Sequence, residues 1–241
     1  MLSIVMLHYG AEQVDMTVKC LAQLKASTVG EFEILLWING DANAEYNHPL
    51  IESHDLVRGT DERLGLAAAY NRAVHHLRGD LFCVIHNDCF VNPGWNKSLE
   101  EEALRGNIAF PIVTTNAGFL AVRGMSEAPE WMPPACCFVI GKDELEVLGG
   151  WDERFEFCHF EDMDLFKRAT EKGMRLVQCP EKVFHLRVTR VHESTLANEA
   201  FKKNELRYAR KHGVRDGARI VFDYPRLELL GTEESNNVDL H

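Results

Sequence analysis

Apolar and polar positions along this chain follow two periods in alternation. Residues 2–8 are a short apolar run, which predicts a buried strand. Residues 12–26 then put Val14, Val18, Leu21 and Leu24 on one helical face. Residues 32–38 read as a second strand, stopped by Asn39-Gly40-Asp41, and 56–58 as a short third. A helix is expected over 65–78, closed by Gly79, and a buried strand over 81–86, closed by Asn87-Asp88. Strand and helix in alternation predict a largely parallel sheet covered on both faces.

After residue 106 the rhythm changes. One more strand fits 107–113, and 114–134 is rich in Gly, Pro and polar residues, which reads as a mobile loop. A strand over 136–141, a helix over 142–148 and a helix over 161–172 follow. Extended segments at 174–178 and 182–186 lead to a long charged helix over 193–212, and 232–241 reads as a frayed end. The expected organisation is a ligand-binding half over 1–106, a catalytic half of the same domain over 107–190, and a C-terminal helix and tail over 191–241.

Composition narrows the class. The chain has 241 residues, enough for one large α/β domain, and 46% of them are hydrophobic. Its formal net charge of −11 repels phosphate backbones and argues against nucleic acid as a partner. No apolar run reaches the roughly 20 residues that span a bilayer. The apolar start lacks a basic flank and a cleavage site, so it reads as a strand and not as a signal peptide. The seven cysteines are scattered without a C-x-x-C pair, which suits reduced, buried thiols and a cytoplasmic location.

Ligands of open parallel sheets bind beyond the carboxyl ends of the strands. Three strand ends carry polar groups there: His8-Tyr9-Gly10, Asn39-Gly40-Asp41 and His86-Asn87-Asp88. Asp88 suits a Mg²⁺ or Mn²⁺ ligand, although Asn87-Asp88 equally suits an Asx turn. Glu161, Asp162 and Asp164 place three carboxylates within four residues. Such a cluster either caps a helix or supplies a general base of raised pKa. The two roles are compatible, with Asp164 capping and Glu161 or Asp162 facing a cleft. His185 ends an apolar segment, where a lone histidine is more often packed than a ligand. Arg63-Leu64-Gly65 before a helix offers backbone N–H groups and a charge to a phosphate, but matches no phosphate-loop motif.

In their order and spacing these segments resemble family 2 glycosyltransferases, especially the rhamnosyltransferase-like branch. The resemblance runs from residue 2 to about residue 187. It is strongest from Gly149-Gly150-Trp151-Asp152-Glu153-Arg154-Phe155 to Phe160-Glu161-Asp162-Met163-Asp164-Leu165. It implies a GT-A-type fold with a Rossmann-like, mostly parallel central sheet. It also implies inverting transfer from a UDP-, dTDP- or GDP-linked sugar to a glycan or lipid-linked acceptor, in polysaccharide biosynthesis. On this likeness Asp162 is the catalytic base with Glu161 beside it. Asp88 and His185 hold Mn²⁺ or Mg²⁺. His8, Tyr9, Asn39, Arg63, Gly65, Asn71, Asn87 and Asp88 line the donor site, and Trp151 and Asp152 lie on the acceptor side. A lipid-linked acceptor would bring peripheral association with the inner membrane face. Two positions depart from the family: Ile38 stands where an aspartate reads the base, and His86 opens the metal motif in place of a carboxylate. The rival readings are a nucleotidyltransferase, for which an N-terminal basic Gly-rich loop is lacking, and a non-catalytic sugar-nucleotide-binding protein.

Overall fold

The structure is a computed structural model, and it describes residues 1–54, 56–115, 132–186, 195–214 and 225–229. Within these, the strands are β1 (Leu2–His8), β2 (Phe32–Asn39), β3 (Val57–Thr60), β4 (Leu81–His86), β5 (Cys89–Val91), β6 (Ile108–Thr115), β7 (Cys137–Gly141), β8 (Leu176–His185) and β9 (Glu228–Leu229). The helices are α1 (Val14–Ser27), α2 (His48–Ser53), α3 (Leu66–Val74), α4 (Lys97–Ala103), α5 (Lys142–Leu148), α6 (Glu161–Glu171) and α7 (Thr195–His212). The strands join one sheet in the order β3-β2-β1-β4-β7-β6-β8-β5, with β9 beside β8.

The first half is parallel: β1 lies between β2 and β4, and β3 extends the edge. β7 then runs antiparallel to both β4 and β6, and β5 antiparallel to β8, while β6 and β8 are parallel. The sheet is therefore mixed, with its parallel part as expected. It runs without a break across residue 106, so the two expected halves share one set of hydrogen bonds.

Period-two alternation divides the core. In β1, Leu2, Ile4 and Met6 join a layer with Leu21 and Leu24 of α1 and Leu99 of α4. Val5 and Leu7 face the opposite layer, with Ala69 and Tyr70 of α3, Leu145 of α5, Phe166 of α6 and Tyr208 of α7. Phe110, Phe138 and Phe166 meet there edge to face and tilted, a geometry that favours aromatic rings.

Several expectations change. Thr114 and Thr115 belong to β6 and pair with Phe184 and His185, because an unpaired β8 end would strand buried backbone groups. The rest of the expected loop, 116–131, and the frayed end, 232–241, lie outside the described residues. The segments 174–178 and 182–186 are one strand, β8, broken only by a register shift in its partner between Phe110 and Ile112. α2 and α4 were not anticipated: the polar start of each, His48-Pro49 and Lys97-Ser98, hides a short buried apolar face.

A candidate active site at the strand ends

β1, β4 and β8 end at one place, and the polar groups predicted there meet. Asp88 lies in the corner between β4 and β5, fully buried, and its Oδ1 is 3.1 Å from Nε2 of His185 at the end of β8. His86 completes the group, its ring edge-on to His185 at 5.5 Å. One ligand atom from each of His86, Asp88 and His185 lies within 4.8 Å of the others. Two imidazole nitrogens and a carboxylate oxygen so placed fit a divalent cation. The sequence reading placed His86 at a polar strand end and as a departure from a motif, but not as a metal ligand. The structure brings it in as a third donor.

Backbone pairing fixes this corner. His86 N donates to Cys136 O at 2.9 Å, and Leu186 N to Asp88 O at 3.0 Å. Cys89 faces His185 across β5 and β8. Burial alone would lower the His185 pKa, but the charge and hydrogen bonds of Cys136 and Asp88 outweigh it and raise the value to about 10.

The carboxylates of α6 approach the same corner. Glu161 is buried and Asp162 half-buried at the first turn of α6. Burial pushes both acids above their ordinary values, and the mutual charge adds to the rise at Glu161. The charge of His86 acts in the other direction on Asp162. Both acids therefore hold a proton more tightly than free carboxyls do, Glu161 the more strongly. Glu161 Oε2 is buried without a hydrogen bond among the described residues.

The chain reaches α6 through a strained loop. Phe157, His159 and Phe160 all have positive φ, at 60°, 78° and 71°. Each is costly for a side-chain-bearing residue and persists only where the surroundings hold it. The holder is Asn204, fully buried on α7. Its Nδ2 donates to the carbonyls of Glu156, Cys158 and His159 at 2.8–3.0 Å, and its Oδ1 accepts from Glu156 N at 3.1 Å. The sequence reading missed Asn204, since an asparagine in a charged helix looks solvated.

Asp164 does not cap α6, contrary to expectation. The N-cap is Phe160, with no side-chain hydrogen bond. Asp164 is fully buried and gathers Arg168 at 2.8 Å, Lys211 at 2.6 Å and His212 at 2.9 Å. Arg168 carries the network on to the carbonyls of Leu148 and Gly150.

The remaining predicted residues divide by what they touch. Tyr9 and Arg63 lie together, with the exposed Arg63 guanidinium 5.3 Å from the Tyr9 ring centre and 5.0 Å from that of Phe157. Gly65 precedes α3 so closely under Phe157 that an added Cβ would lie 2.9 Å from its nitrogen. Asn39 spends its amide on the loop, donating to Leu64 O and accepting from Leu64 N at 2.9 Å each, and so positions Arg63. His8 and Asn87 are buried against Thr17 of α1, at 2.8 and 2.9 Å, and Asn87 also donates to Gln13. Asn71 holds the backbone of Trp151 in both directions at 2.9 Å.

Trp151 is buried and stacked on Tyr70 at 5.1 Å, so it is part of the core under the cleft. Asp152 points away toward α7. Hydrogen bonds from Arg154 lead the causes that hold its pKa well below the usual carboxylate range, with Lys211 adding to them. Ile38 is likewise in the core, on the α1 side.

Comparison with known proteins agrees with this architecture. The family described as glycosyl transferase family 2 matches residues 3–155. A curated relative, the O-antigen biosynthesis protein RfbC of Myxococcus xanthus, is 28% identical over 180 residues, covering 61% of this chain and 14% of that protein. Among solved structures, GalNAc-T7 with UDP, GalNAc and Mn²⁺ superposes with a TM-score of 0.66 at 15% identity, covering 87% of this chain and 47% of that one. Staphylococcus aureus TarS 1-349 with UDP-GlcNAc gives 0.66 at 12% identity, covering 89% and 67%. The mannosyltransferase PcManGT of Pyrobaculum calidifontis, with GDP-Man and Mn²⁺, gives 0.63 at 13%, covering 87% and 64%. The chain thus spans a small part of RfbC and under half of GalNAc-T7.

Proposed function

The chain belongs to glycosyl transferase family 2, and we propose that it moves a sugar from a nucleotide-diphosphate donor to a hydroxyl acceptor with inversion. The observation that carries this reading is the meeting, at one strand end, of a His-Asp-His donor set with a carboxylate pair of raised pKa. The first suits a diphosphate with its cation, and the second suits a hydroxyl that must lose a proton.

Asp162 takes the acceptor proton while the acceptor oxygen forms its bond to the anomeric carbon and the bond to the diphosphate oxygen breaks. Glu161, holding the shared proton, keeps the pair from carrying two charges and offers a hydrogen bond to the sugar or acceptor. Arg63, Tyr9 and the entry to α3 border the donor, with Arg63 available to a phosphate oxygen. His86, Asp88 and His185 would hold the divalent cation, Mn²⁺ or Mg²⁺, which when bound neutralises charge on the diphosphate. His8, Asn39, Asn71 and Asn87 act through the backbone they fix.

The Mn²⁺ in the GalNAc-T7 and PcManGT complexes and the part RfbC plays in O-antigen biosynthesis support a metal-dependent enzyme of polysaccharide assembly. The acceptor class proposed is a glycan, carried on a lipid where the enzyme works at the inner face of the membrane. No helix among the described residues is long and apolar enough to cross a membrane, so that association would be peripheral. A calorimetric panel of UDP-, dTDP- and GDP-sugars with Mn²⁺ tests the reading. One donor should bind only with the ion, and Asp162→Asn should keep that binding while losing transfer. A folded protein that binds none of the panel would overturn the proposal.

A further inference from the structure

The corner that gathers His86, Asp88 and His185 holds two more donors. Sγ of Cys89, Sγ of Cys136 and a ring nitrogen of His185 also lie within 4.8 Å of one another. The two groups share His185. Three chain segments supply them: the β4–β5 corner, the residue before β7 and the end of β8, tied by the backbone bonds of His86 to Cys136 and of Leu186 to Asp88. All seven cysteines of the chain are buried and free. Among the described residues, only Cys89 and Cys136 form a cluster with a candidate ligand, while Cys179 lies against Ser98 and Glu181.

We propose that this is a mixed nitrogen, oxygen and sulfur site in which Cys136 is a direct metal ligand, so that it selects borderline-soft ions of the zinc and cobalt class over magnesium. The inference rests on the proposed metal-dependent transfer and names the ion class that would serve it. Magnesium demands near-octahedral oxygen ligands and keeps several waters. Here His185 belongs both to a triad with one carboxylate and a second imidazole and to a triad with two thiols, and thiolate and imidazole donors favour zinc and its neighbours. The spacing agrees. Metal–sulfur and metal–nitrogen bonds of about 2.3 and 2.0 Å put tetrahedral ligands roughly 3.5 Å apart, and the donor atoms of each triad lie within 4.8 Å of one another. An oxygen-only site would gain nothing from sulfur at this position. A small apolar residue would fill the space equally well if packing alone were served.

Cobalt reports the sulfur directly. The whole chain, stripped with a chelator and titrated with Co²⁺, should develop visible d–d bands and a near-ultraviolet thiolate-to-cobalt charge-transfer band. Cys136→Ser should lose the charge-transfer band and keep the d–d bands, while Cys179→Ser should keep both. Zn²⁺ should displace Co²⁺, and Cys136→Ser should weaken Zn²⁺ by about tenfold or more, since even outer partners of metal ligands contribute about 10–100-fold. Mn²⁺ affinity should barely change. Should Cys136→Ser fail to fold, mass-mapped alkylation of Cys136 in the unmodified chain gives the same answer: Zn²⁺ must slow it, and Mg²⁺ must not. Visible bands without charge transfer, or alkylation indifferent to Zn²⁺, would overturn the sulfur ligand and leave the proposed transferase standing. A folded chain that binds neither Co²⁺ nor Mn²⁺ would remove the metal site altogether, and with it this inference.

Discussion

Truncating Asn204 isolates the support of the strained loop before α6 from the loop itself. Asn204→Ala removes four hydrogen bonds to a segment with three positive-φ residues, and it touches none of His86, Asp88, Glu161 or Asp162. The buried Cys158 carbonyl loses its donor, while those of Glu156 and His159, nearer the surface, regain water. One fully orphaned group costs about 1–3 kcal/mol, and relaxation of the strained loop offsets little of it. With the small cavity added, a loss of about 3 kcal/mol is expected. At 2–4 °C per kcal/mol for a chain of this size, the melting temperature should fall by about 6–12 °C. Asn204→Asp separates hydrogen bonding from volume. It keeps an acceptor for Glu156 N–H but turns a charged oxygen toward three carbonyls, so it should cost at least as much as alanine. Urea unfolding gives the energy, and steady-state transfer gives the consequence: turnover should drop in both variants while metal-dependent donor affinity holds. A loss under about 1 kcal/mol with normal turnover would refute the claim that Asn204 sustains the strained backbone.

Four further outcomes can be checked. Asp162→Asn should lower turnover by about a hundredfold or more, in line with general-base catalysis, with donor affinity unchanged and stability equal or raised as one charge leaves a buried pair; near-normal transfer would pass the role to Glu161. Asp88→Ala and His185→Ala should each abolish the Mn²⁺ dependence of donor binding without unfolding the chain, as read by calorimetry and circular dichroism. Asp164→Ala leaves Arg168, Lys211 and His212 without their buried counter-charge and should destabilise by about 3–5 kcal/mol in urea, whereas a surface-like loss of under about 1 kcal/mol would contradict the hub. Burial would raise the Glu33 pKa, but hydrogen bonds from Ser3 and Arg78 outweigh it and hold it below its ordinary 4.5. Its stabilisation is therefore complete above that pH and lost as pH falls through the lower folded value, so Glu33→Gln should flatten the acid limb of the stability curve below pH 4.5.

The parallel half of the fold was legible because its strands are continuous apolar runs with Gly or Asn-Asp stops, and β4 and α5 fall where periodicity puts them. β7 was placed but not its direction: the bond of His86 N to Cys136 O that begins the antiparallel ladder joins residues far apart in sequence. The meeting of Asp88 with His185 is likewise a property of the sheet order. α4 escaped because its buried face includes Glu102 beside Leu99 and Ala103, which breaks the apolar pattern. Polar residues whose amides serve backbone were the hardest to read. Asn39, Asn71 and Asn87 stand beside cleft motifs, and only the structure shows each holding a loop or helix. Asn204 stands far from any motif, and its part follows solely from where α7 packs.

The clamp from α7 also sets the unit in which this chain could be recombined. The residues that match the family end at 155, yet the loop that presents Glu161 and Asp162 is gripped by Asn204, and Asp164 is contacted by Lys211 and His212. A hybrid that took the segment 156–171 from one parent and the distal helix from another would join a loop to a foreign clasp. Libraries built to alter acceptor choice should therefore inherit both pieces together.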